Sequence, residues 1–421
     1  MKLFAIVLLA FNAAIAASKK VSYAGAKAMR IPVGNEVEPL LDIINQLELP
    51  TWKGLANGVP IANSHVDLVV PADKVAEFEK LTASMTTEVM HDDLGASIAD
   101  EATPFTYQAG SVNETWFNAY HSYADHLQFL NDLVTSFPTQ AEIVTAGSSV
   151  GSQAITGIHF WGSGGKGSNP AVVIHGTVHA REWITTMTTE YFAYNLLTNY
   201  ATSTEIKGFV DKYDYYIFPV VNPDGFVYTQ TTNRLWRKNR QSPPSGSTCY
   251  GTDINRNWPY QWSGAGSSTS ACSETYRGVS QGNTPENKGV LAQIDALAAD
   301  KGVQLYIDVH SYSQLLMTPY GYSCSATTSN NSVLQSLARG AVAAIQAVYG
   351  TVFTYGPICS TIYQVAGGSI DYVQDVTKAK HVFTVELRDT GTYGFVLPAS
   401  QILPSGVEMY AGLRSLLANM V

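Results

Sequence analysis

The stretch VVIHGTVHAREW, residues 172–183, joins an apolar run, a turn and the start of a helical pattern that continues to about Asn199. The apolar run is typical of a strand that is covered on both faces. His179 and Glu182 stand three residues apart where the strand gives way to the helix, so both side chains can reach one point. An imidazole and a carboxylate are two of the three ligands that a catalytic zinc site uses. Because H-x-x-E pairs are common by chance, a helix-start Glu beside a hydrogen-bonded His stays the alternative until a third ligand and a base are found.

Two later segments supply candidates for these missing groups. His310 follows the mainly apolar run LYIDV, and Glu386 ends the apolar run VFTV. A lone His at a strand end is more often structural, and His175 is the nearest rival, although its place within a strand suits it better to orienting its neighbours. Glu386 is a candidate general base for a water molecule. A pair between Glu386 and Arg388 is the alternative.

Candidate cations for an anionic intermediate lie in two segments of the middle of the chain. Residues 233–240, NRLWRKNR, contain four Arg or Lys residues, and a solvated loop is the simpler interpretation of them. Residues 253–258, DINRNW, place an amide beside a guanidinium. Such a pair is well suited to holding a carboxylate by several hydrogen bonds.

Strands alternate with long helices from residue 113 to the end of the sequence. The apolar periods predict helices over 122–136, 183–199, 285–299, 332–349 and 406–419, and strands over 142–146, 155–161, 171–174, 213–221, 304–309 and 382–387. This order predicts an α/β fold with a largely internal sheet. Ligands bind such sheets at the carboxyl ends of the strands, which is where His179, His310 and Glu386 fall.

The N-terminal quarter has a different organisation. Residues 1–16 combine one Lys, an apolar core and a small-residue ending, which predict a secretory signal peptide. Residues 33–94 predict a small separate unit of order β-α-β-α-β, an antiparallel sheet with helices on one face. Residues 96–112 are polar and lack a clear period, so we expect a linker. The sequence has no Lys or Arg between Lys80 and Lys166, so a trypsin-like protease has no cleavage site there.

Composition excludes several classes of partner. The net charge is −9, with only 14% charged residues, so nucleic acid and anionic membranes are poor partners. After the signal, no apolar run is long enough to predict a membrane span. Four cysteines in a secreted chain predict disulfides, with three pairings possible. Asn113 and Asn330 begin glycosylation sequons.

Seven motifs after residue 113 resemble, in order, those of the secreted metallocarboxypeptidases of the carboxypeptidase A/B family. They are HAREW, NRLWRKNR, DINRNW, CSETYRG, HSYSQLLMTPYGY, TIYQVAGGSIDY and ELRDTGTYGF. The N-terminal unit resembles that family's inhibitory activation domain more loosely. The resemblance implies a mixed central β-sheet flanked by helices, preceded by a small α+β open-sandwich activation domain. We therefore expect a signal peptide over 1–16, an activation domain over 17–95, a linker over 96–112 and a catalytic domain over 113–421.

The resemblance also implies roles for individual residues. One Zn²⁺ in the catalytic domain would be held by His179, Glu182 and His310. Glu386 would take the proton of the attacking water, and Arg237 would stabilise the oxyanion. Asn255, Arg256 and Tyr363 would hold the C-terminal carboxylate of the substrate. Arg181, Tyr312 and Phe395 would line the neighbouring subsites. The disulfides would join Cys249 to Cys272 and Cys324 to Cys359.

Ile370 determines the expected specificity. An apolar residue at this position resembles the A type of the family, which prefers aromatic and aliphatic C-terminal side chains. The rest of the expected pocket is Ile358, Ile362, Val365 and Thr384. Met317 departs from the A type, and so does Asp308, which stands where a small polar residue is usual and lies two residues before His310 on one strand face. An ionised Asp308 directed into the pocket would admit basic side chains, but we expect hydrophobic C-termini to be preferred.

We expect a secreted monomer that acts on the C-termini of peptides and proteins and is inhibited by its own activation domain. Pancreatic-type relatives are activated by tryptic cleavage, so the absence of Lys and Arg from the linker predicts another activating protease or autolysis. A zinc-dependent deacylase of small amino-acid derivatives is one alternative, and the complete set of carboxylate-binding residues argues against it. A non-catalytic binding protein of the same fold is the other, and the complete set of ligands and base argues against that.

Overall fold

The computed structural model of the chain describes residues 20–102, 106–110 and 112–420. The expected signal peptide, residues 1–16, lies outside the described residues. The N-terminal unit contains, in chain order, β1 (Lys27–Val33), α1 (Glu38–Gln46), β2 (Thr51–Lys53), β3 (Leu55–Ala56), β4 (Val59–Pro60), β5 (Ser64–Val70), α2 (Val75–Leu81), β6 (Glu88–His91) and α3 (Leu94–Glu101).

The N-terminal sheet has the strand order β2-β5-β1-β6, and its strands pair antiparallel. Side chains alternate between the two faces of a strand, so the two faces of this sheet have different neighbours. Met29 and Ile31 of β1 pack with α1 and α2 in a small core of their own. Ala28 faces the other way and packs in a cluster with Leu235 and Phe395. The predicted α+β unit is confirmed, and the rest of the chain covers the second face of its sheet.

The predicted linker over 96–112 is wrong for its first six residues, because helix α3 continues to Glu101. The Asp93 carboxylate accepts a hydrogen bond from the Ala96 N–H and caps the helix. Leu94 is fully buried in the cluster between the two parts of the chain. Tertiary burial therefore stabilises a helix whose own sequence has a weak period.

The remainder of the chain alternates strands and helices as predicted. The elements are α4 (Tyr123–Ser136), β7 (Ala141–Ser148), β8 (Ala154–Phe160), β9 (Ala171–Gly176), α5 (Trp183–Thr198), α6 (Thr204–Lys212), β10 (Asp214–Phe218), α7 (Pro223–Thr231), α8 (Pro285–Asp300), β11 (Val303–Ser311), β12 (Leu315–Thr318), α9 (Asn331–Tyr349), β13 (Thr354–Pro357), α10 (Ile358–Thr361), α11 (Ser369–Asp375), β14 (His381–Leu387) and α12 (Ile402–Asn419). Each predicted helix and strand is present, with its ends shifted by a few residues. Helix α7 begins soon after β10, because Asn222 caps it and Pro223 is its first residue.

Within the described residues the central sheet has eight strands, in the order β13-β12-β14-β11-β9-β10-β8-β7. Strands β14, β11, β9 and β10 run parallel, whereas β12 and β8 are antiparallel to β14 and β10. The predicted mixed sheet is therefore confirmed. His310 of β11 lies beside Glu386 of β14, and β9, which ends at Gly176, lies on the other side of β11. The carboxyl ends of three neighbouring strands thus meet at one edge of the sheet.

Strand β9 is buried along its whole length, as its apolar sequence predicts. Val172 and Ile174 contribute to the core on one face of the sheet, and Val173 contributes to the core on the other. Helix α5 follows it, and residues 183–193, its first three turns, are all buried. This packing fixes the backbone on both sides of the turn that carries His179 and Glu182.

The four cysteines form the two disulfides that the family resemblance implies, Cys249 with Cys272 and Cys324 with Cys359. None of the helices in the described part of the chain has the length and apolar character that crossing a bilayer requires.

Candidate active site

His179, Glu182 and His310 form a buried group at the carboxyl edge of the central sheet. One nitrogen or oxygen atom from each lies within 4.8 Å of the others. The two Nδ1 atoms are 3.1 Å apart, and the Glu182 carboxylate oxygens lie 2.9 Å and 3.1 Å from them. Two imidazole nitrogens that face each other this closely need a cation or a shared proton between them. The donor set, two His and one Glu beside a cavity, fits a catalytic zinc ion.

The Nε2 atom of each of the two imidazoles faces a carboxylate. His179 Nε2 lies 3.1 Å from Asp253 Oδ1, and His310 Nε2 lies 3.1 Å from Asp308 Oδ2. When Nε2–H donates to a carboxylate, Nδ1 is left with a free lone pair for a metal. Burial opposes the ionisation of Asp253, but Arg237 and His179 outweigh it and hold its pKa well below the ordinary value. Burial also opposes the ionisation of Asp308, and the neighbouring His310 lowers its pKa.

Asp308 is directed away from the cavity that the candidate metal ligands border. Its side chain is fully buried, and its carboxylate accepts a hydrogen bond from Ser369 Oγ as well as facing His310. The side chains that line the cavity include Met317 and Ile370 but not Asp308. The condition under which Asp308 would admit basic side chains is therefore not met.

Glu386 lies beside His310 in the sheet and lines the same cavity. The alternative pair with Arg388 is wrong, because the Arg388 guanidinium donates two hydrogen bonds of 2.6 Å to Glu408. Burial, reinforced by the Glu182 carboxylate, raises the pKa of Glu386 to about 7. A carboxyl group with a pKa near neutrality suits general acid–base work at physiological pH.

The basic segment 233–240 is not a solvated loop, so the simpler interpretation of its charges is wrong. Arg237 donates to Asp253 at 2.9 Å and 3.2 Å, and its Nη1 lies 3.8 Å from Glu182. Lys238 is buried and donates to the Ala271 carbonyl at 2.7 Å. Fixed by Asp253, the Arg237 guanidinium lies at the wall of the cavity beside the candidate metal ligands.

The cavity beyond the metal group has a polar part and an apolar part. Asn255, Arg256 and Tyr363 contribute the polar groups. The apolar part is lined by Met317, Ile358, Ile362, Val365, Ile370 and Thr384. Asp371 also borders it, but its carboxylate is turned toward the backbone, where it accepts hydrogen bonds from the N–H groups of Gly321 and Tyr322.

The remaining predicted substrate-binding residues lie around the same opening. Tyr312 and Phe395 line the first cavity, and Arg181 lines an adjoining one that shares Arg237 and Tyr363 with it. The Arg181 guanidinium lies over the Phe395 ring, 4.2 Å from its centroid. All of the predicted ligand, base, cation and substrate-binding side chains thus border two adjoining cavities.

The N-terminal unit contributes to the walls of the first cavity. Trp52 and Lys53 of β2 line it, and the Trp52 and Phe395 rings pack edge to face with centroids 5.5 Å apart. Lys53 Nζ donates to the Tyr312 carbonyl at 3.3 Å. The Tyr312 hydroxyl in turn donates to Asp67 of β5. Trp52 and Lys53 of the N-terminal unit thus form part of the wall of the cavity that contains the candidate metal ligands.

The sequence analysis does not predict the contacts of several of these residues. Asp308 was noticed, but as a specificity residue rather than as the partner of His310. Asp253 stands in a motif that drew attention only for Asn255 and Arg256. For Asp253 and Lys53 we find no local signal, because each meets its partner only through pairing between distant segments.

Comparison with known proteins identifies the family. The model described as Zinc carboxypeptidase matches residues 126–412, and the model described as Carboxypeptidase activation peptide matches residues 34–101. A Metallocarboxypeptidase A-like protein of Trichophyton verrucosum (strain HKI 0517) is 50% identical over 411 residues, which cover 96% of this chain and 95% of that protein. Metallocarboxypeptidase A of Trichophyton rubrum is 47% identical over 419 residues, which cover 99% of this chain and 98% of that protein.

Solved structures agree with these matches. The crystal structure of thrombin activatable fibrinolysis inhibitor superposes with a TM-score of 0.88 at 28% identity, over 94% of this chain and 98% of that one. The expected fold and the expected zinc cofactor are both confirmed by the family match. The chain therefore belongs to the zinc carboxypeptidase family, as a carboxypeptidase A-like enzyme preceded by a carboxypeptidase activation peptide.

Proposed function

We propose that the chain is a secreted zymogen whose mature form removes single residues from peptide C-termini and prefers hydrophobic and aromatic ones. The supporting observation is one cavity that joins the candidate metal ligands and Glu386 to Asn255, Arg256 and the apolar surroundings of Ile370. A chain end carries a free carboxylate and a side chain on the same residue. Neighbouring anion-binding and apolar surfaces fit both at once.

In this proposal His179, Glu182 and His310 hold the zinc ion. When bound, the ion polarises the scissile carbonyl and the attacking water. Burial opposes the ionisation of Glu182, but the His179 and His310 imidazoles outweigh it and hold its pKa below the ordinary value. Glu182 is therefore an anion, as a ligand to a cation has to be.

Glu386 accepts the proton of the attacking water and then delivers it to the leaving amine. Both transfers are feasible because its pKa is raised to about 7, so the carboxylate and the acid are close in free energy. Arg237 stabilises the oxyanion that forms at the scissile carbonyl. Because two hydrogen bonds to Asp253 fix its guanidinium in advance, no reorganisation is needed when the negative charge develops.

Asn255, Arg256 and Tyr363 hold the substrate's terminal carboxylate, and Ile370 contacts the terminal side chain. Burying a Phe or Leu side chain in such a pocket contributes about 1.5–3 kcal/mol. A terminal Lys or Arg would place its charge among apolar groups, because the Asp308 and Asp371 carboxylates are turned elsewhere. Hydrophobic C-termini are favoured for this reason.

We place the end of the activation unit at Glu101, where α3 ends, and the start of the catalytic domain at Asn113. Residues 1–16 direct secretion, and the sequons at Asn113 and Asn330 are then open to glycosylation. The activation unit inhibits in cis through Trp52 and Lys53. An activating cut between these two units releases it.

The test uses the secreted precursor after proteolytic activation. Four peptides of the same sequence that end in Phe, Leu, Lys or Arg are compared by kcat/KM for release of the last residue. We expect Phe and Leu to be released fastest, with loss of activity in a chelator and recovery when zinc is restored. Faster release of Lys or Arg would contradict the specificity, and activity that survives complete zinc removal would contradict the mechanism.

A further inference from the structure

The two imidazoles of the candidate metal group have matching partners. His179 faces Asp253, and His310 faces Asp308, each across 3.1 Å. Asp253 and His179 both lie in motifs that carry the family resemblance. Asp308 is one of the positions at which this chain departs from the A type, and its contact with His310 is not among the contacts that the resemblance implies.

Asp308 is the acceptor available to the outer nitrogen of His310. Among the described residues, two side chains approach His310 Nε2, Asp308 at 3.1 Å and Asn255 Nδ2 at 3.2 Å. The Asn255 carbonyl oxygen already accepts a hydrogen bond of 2.9 Å from the Ser369 N–H, so its amide turns its N–H₂ toward the imidazole. An N–H₂ group cannot accept a proton from Nε2–H. When Nδ1 of His310 binds a metal, the imidazole carries its proton on Nε2, and of these two side chains Asp308 is the one that can accept it.

The position of the Asp308 carboxylate is itself fixed. Ser369 Oγ donates to the oxygen that faces His310, and the Asp308 side chain has no exposed surface. Strand pairing with β14 on one side and β9 on the other holds its backbone. An anion held in this way orients a ligating imidazole and increases its basicity toward a metal.

We propose that Asp308 is a positioning residue that locks the His310 imidazole in its Nε2–H form, aims Nδ1 at the zinc, and thereby determines how firmly the zinc is retained. This assignment rests on the proposed role of His310 as a ligand. It replaces the idea that Asp308 selects basic substrates, since the carboxylate is engaged inside the protein.

Two variants separate the charge of Asp308 from its hydrogen bond. Asp308→Asn keeps an acceptor oxygen and removes the charge, whereas Asp308→Ser removes both from the reach of His310. Loss of such a partner lowers metal affinity by about 10–100-fold, and we expect Asp308→Ser to lie nearer the upper end. The matched control is Asp214→Asn. Asp214 is a buried carboxylate that accepts from His159 Nε2 at 2.8 Å, at the opposite edge of the sheet from the metal group.

The experiment measures zinc affinity by competition with a chromogenic chelator, below the melting temperature of each apoprotein. Cobalt is substituted in parallel, and its visible absorption reports the ligand geometry. We expect weaker zinc retention and a shifted cobalt spectrum in Asp308→Asn and Asp308→Ser. Asp214→Asn should have the same zinc affinity and the same cobalt spectrum as the wild type, even if its melting temperature differs. KM for a Phe-ending peptide should stay within about twofold in the zinc-saturated variants, with no gain for Lys-ending peptides.

Unchanged zinc affinity in the folded Asp308 variants would overturn the assignment, and so would an equal loss in Asp214→Asn. Faster release of Lys or Arg by wild type than by Asp308→Ser would overturn it in favour of a specificity role. A wild-type protein that retains no zinc would instead contradict the proposed function itself, so the two failures are distinguishable.

Discussion

Arg234 of the catalytic domain donates two parallel hydrogen bonds, of 2.6 Å and 2.7 Å, to the carboxylate of Glu101 at the end of helix α3. Both residues are at most 3% exposed. The same guanidinium donates to the carbonyls of Arg181 and Phe395, both at 2.8 Å, and lies over the Trp183 ring. One buried ion pair thus connects the last helix of the activation unit to Arg181 and Phe395, which line the cavities of the candidate active site.

We expect Glu101→Ala to raise the activity of the uncut precursor, because it leaves Arg234 buried without its anion. Breaking a buried pair by removing one partner costs roughly 3–5 kcal/mol, and the loss falls on the docked state because the pair exists only there. The measurement is hydrolysis of a Phe-ending peptide by precursor that is shown to be uncut. Glu79→Ala is the control, since Glu79 makes a long exposed contact with Lys27. Equal activity of the two variants would argue that the pair has no inhibitory role.

Docking of the activation unit should weaken as the pH falls. His91 of β6 is buried, its ring contacts the Tyr393 carbonyl at 2.7 Å, and burial lowers its pKa below the ordinary value. The docked form therefore binds fewer protons than the free form. The contribution of neutral His91 to the stability of the docked complex is complete above the ordinary His pKa of about 6.5. It is lost as the pH falls below that value.

The measurement for this second prediction is the affinity of the cleaved activation unit for the mature enzyme between pH 8 and pH 5, two values chosen about 1.5 units either side of that pKa. His91→Gln is the control, because an amide does not titrate in this range and can still donate to Tyr393. We expect a smaller pH dependence in His91→Gln than in wild type. An identical pH dependence would assign the effect to other groups.

Replacing Glu386 with Gln should abolish turnover and leave zinc bound. Glutamine occupies the same space but cannot take a proton, and loss of a general base typically lowers kcat by about 10²–10⁴-fold. The candidate metal ligands His179, Glu182 and His310 are unchanged in this variant. Zinc content and kcat/KM measured on the same preparation test this, and substantial activity in zinc-loaded Glu386→Gln would remove Glu386 from the mechanism.

Ile370→Asp should reverse the substrate preference. Ile370 is 2% exposed and borders the apolar part of the cavity. An uncompensated charge there should lower kcat/KM for Phe-ending peptides on the order of 100-fold, while Lys- and Arg-ending peptides supply a partner for it. Val376→Asp, at an exposed position after α11, adds the same charge outside the cavity. It should change kcat/KM neither for Phe-ending peptides nor for Lys- and Arg-ending peptides. A Phe preference that survives in Ile370→Asp would place the specificity elsewhere.

Trypsin alone should not produce the mature enzyme. The sequence offers no Lys or Arg from Leu81 to Gly165, so trypsin cannot separate α3 from the catalytic domain. N-terminal sequencing of the active form should show a cut after a residue other than Lys or Arg, between Glu101 and Asn113. Full activation by trypsin with a new N-terminus between residues 81 and 113 would contradict this.

Local sequence patterns were sufficient for the elements that surround the site. Strand β9 and helix α5 follow from an apolar run and a helical period, because burial on both faces leaves a composition that a short window can detect. Short elements such as β12 and α11 were missed, since their stability comes from pairing and packing rather than from their own period. Helix α3 was interpreted as a linker for the same reason.

The sequence by itself determined the strands, the long helices and the chemical types of residue that stand at the strand ends, because these depend on neighbours a few positions apart. Only the tertiary structure decided what each polar side chain faces. Arg388 binds Glu408 rather than Glu386, and Asp308 turns to His310 rather than into the cavity. Such choices depend on strand register and on rotamers set by distant segments, so they are fixed only when the chain has folded.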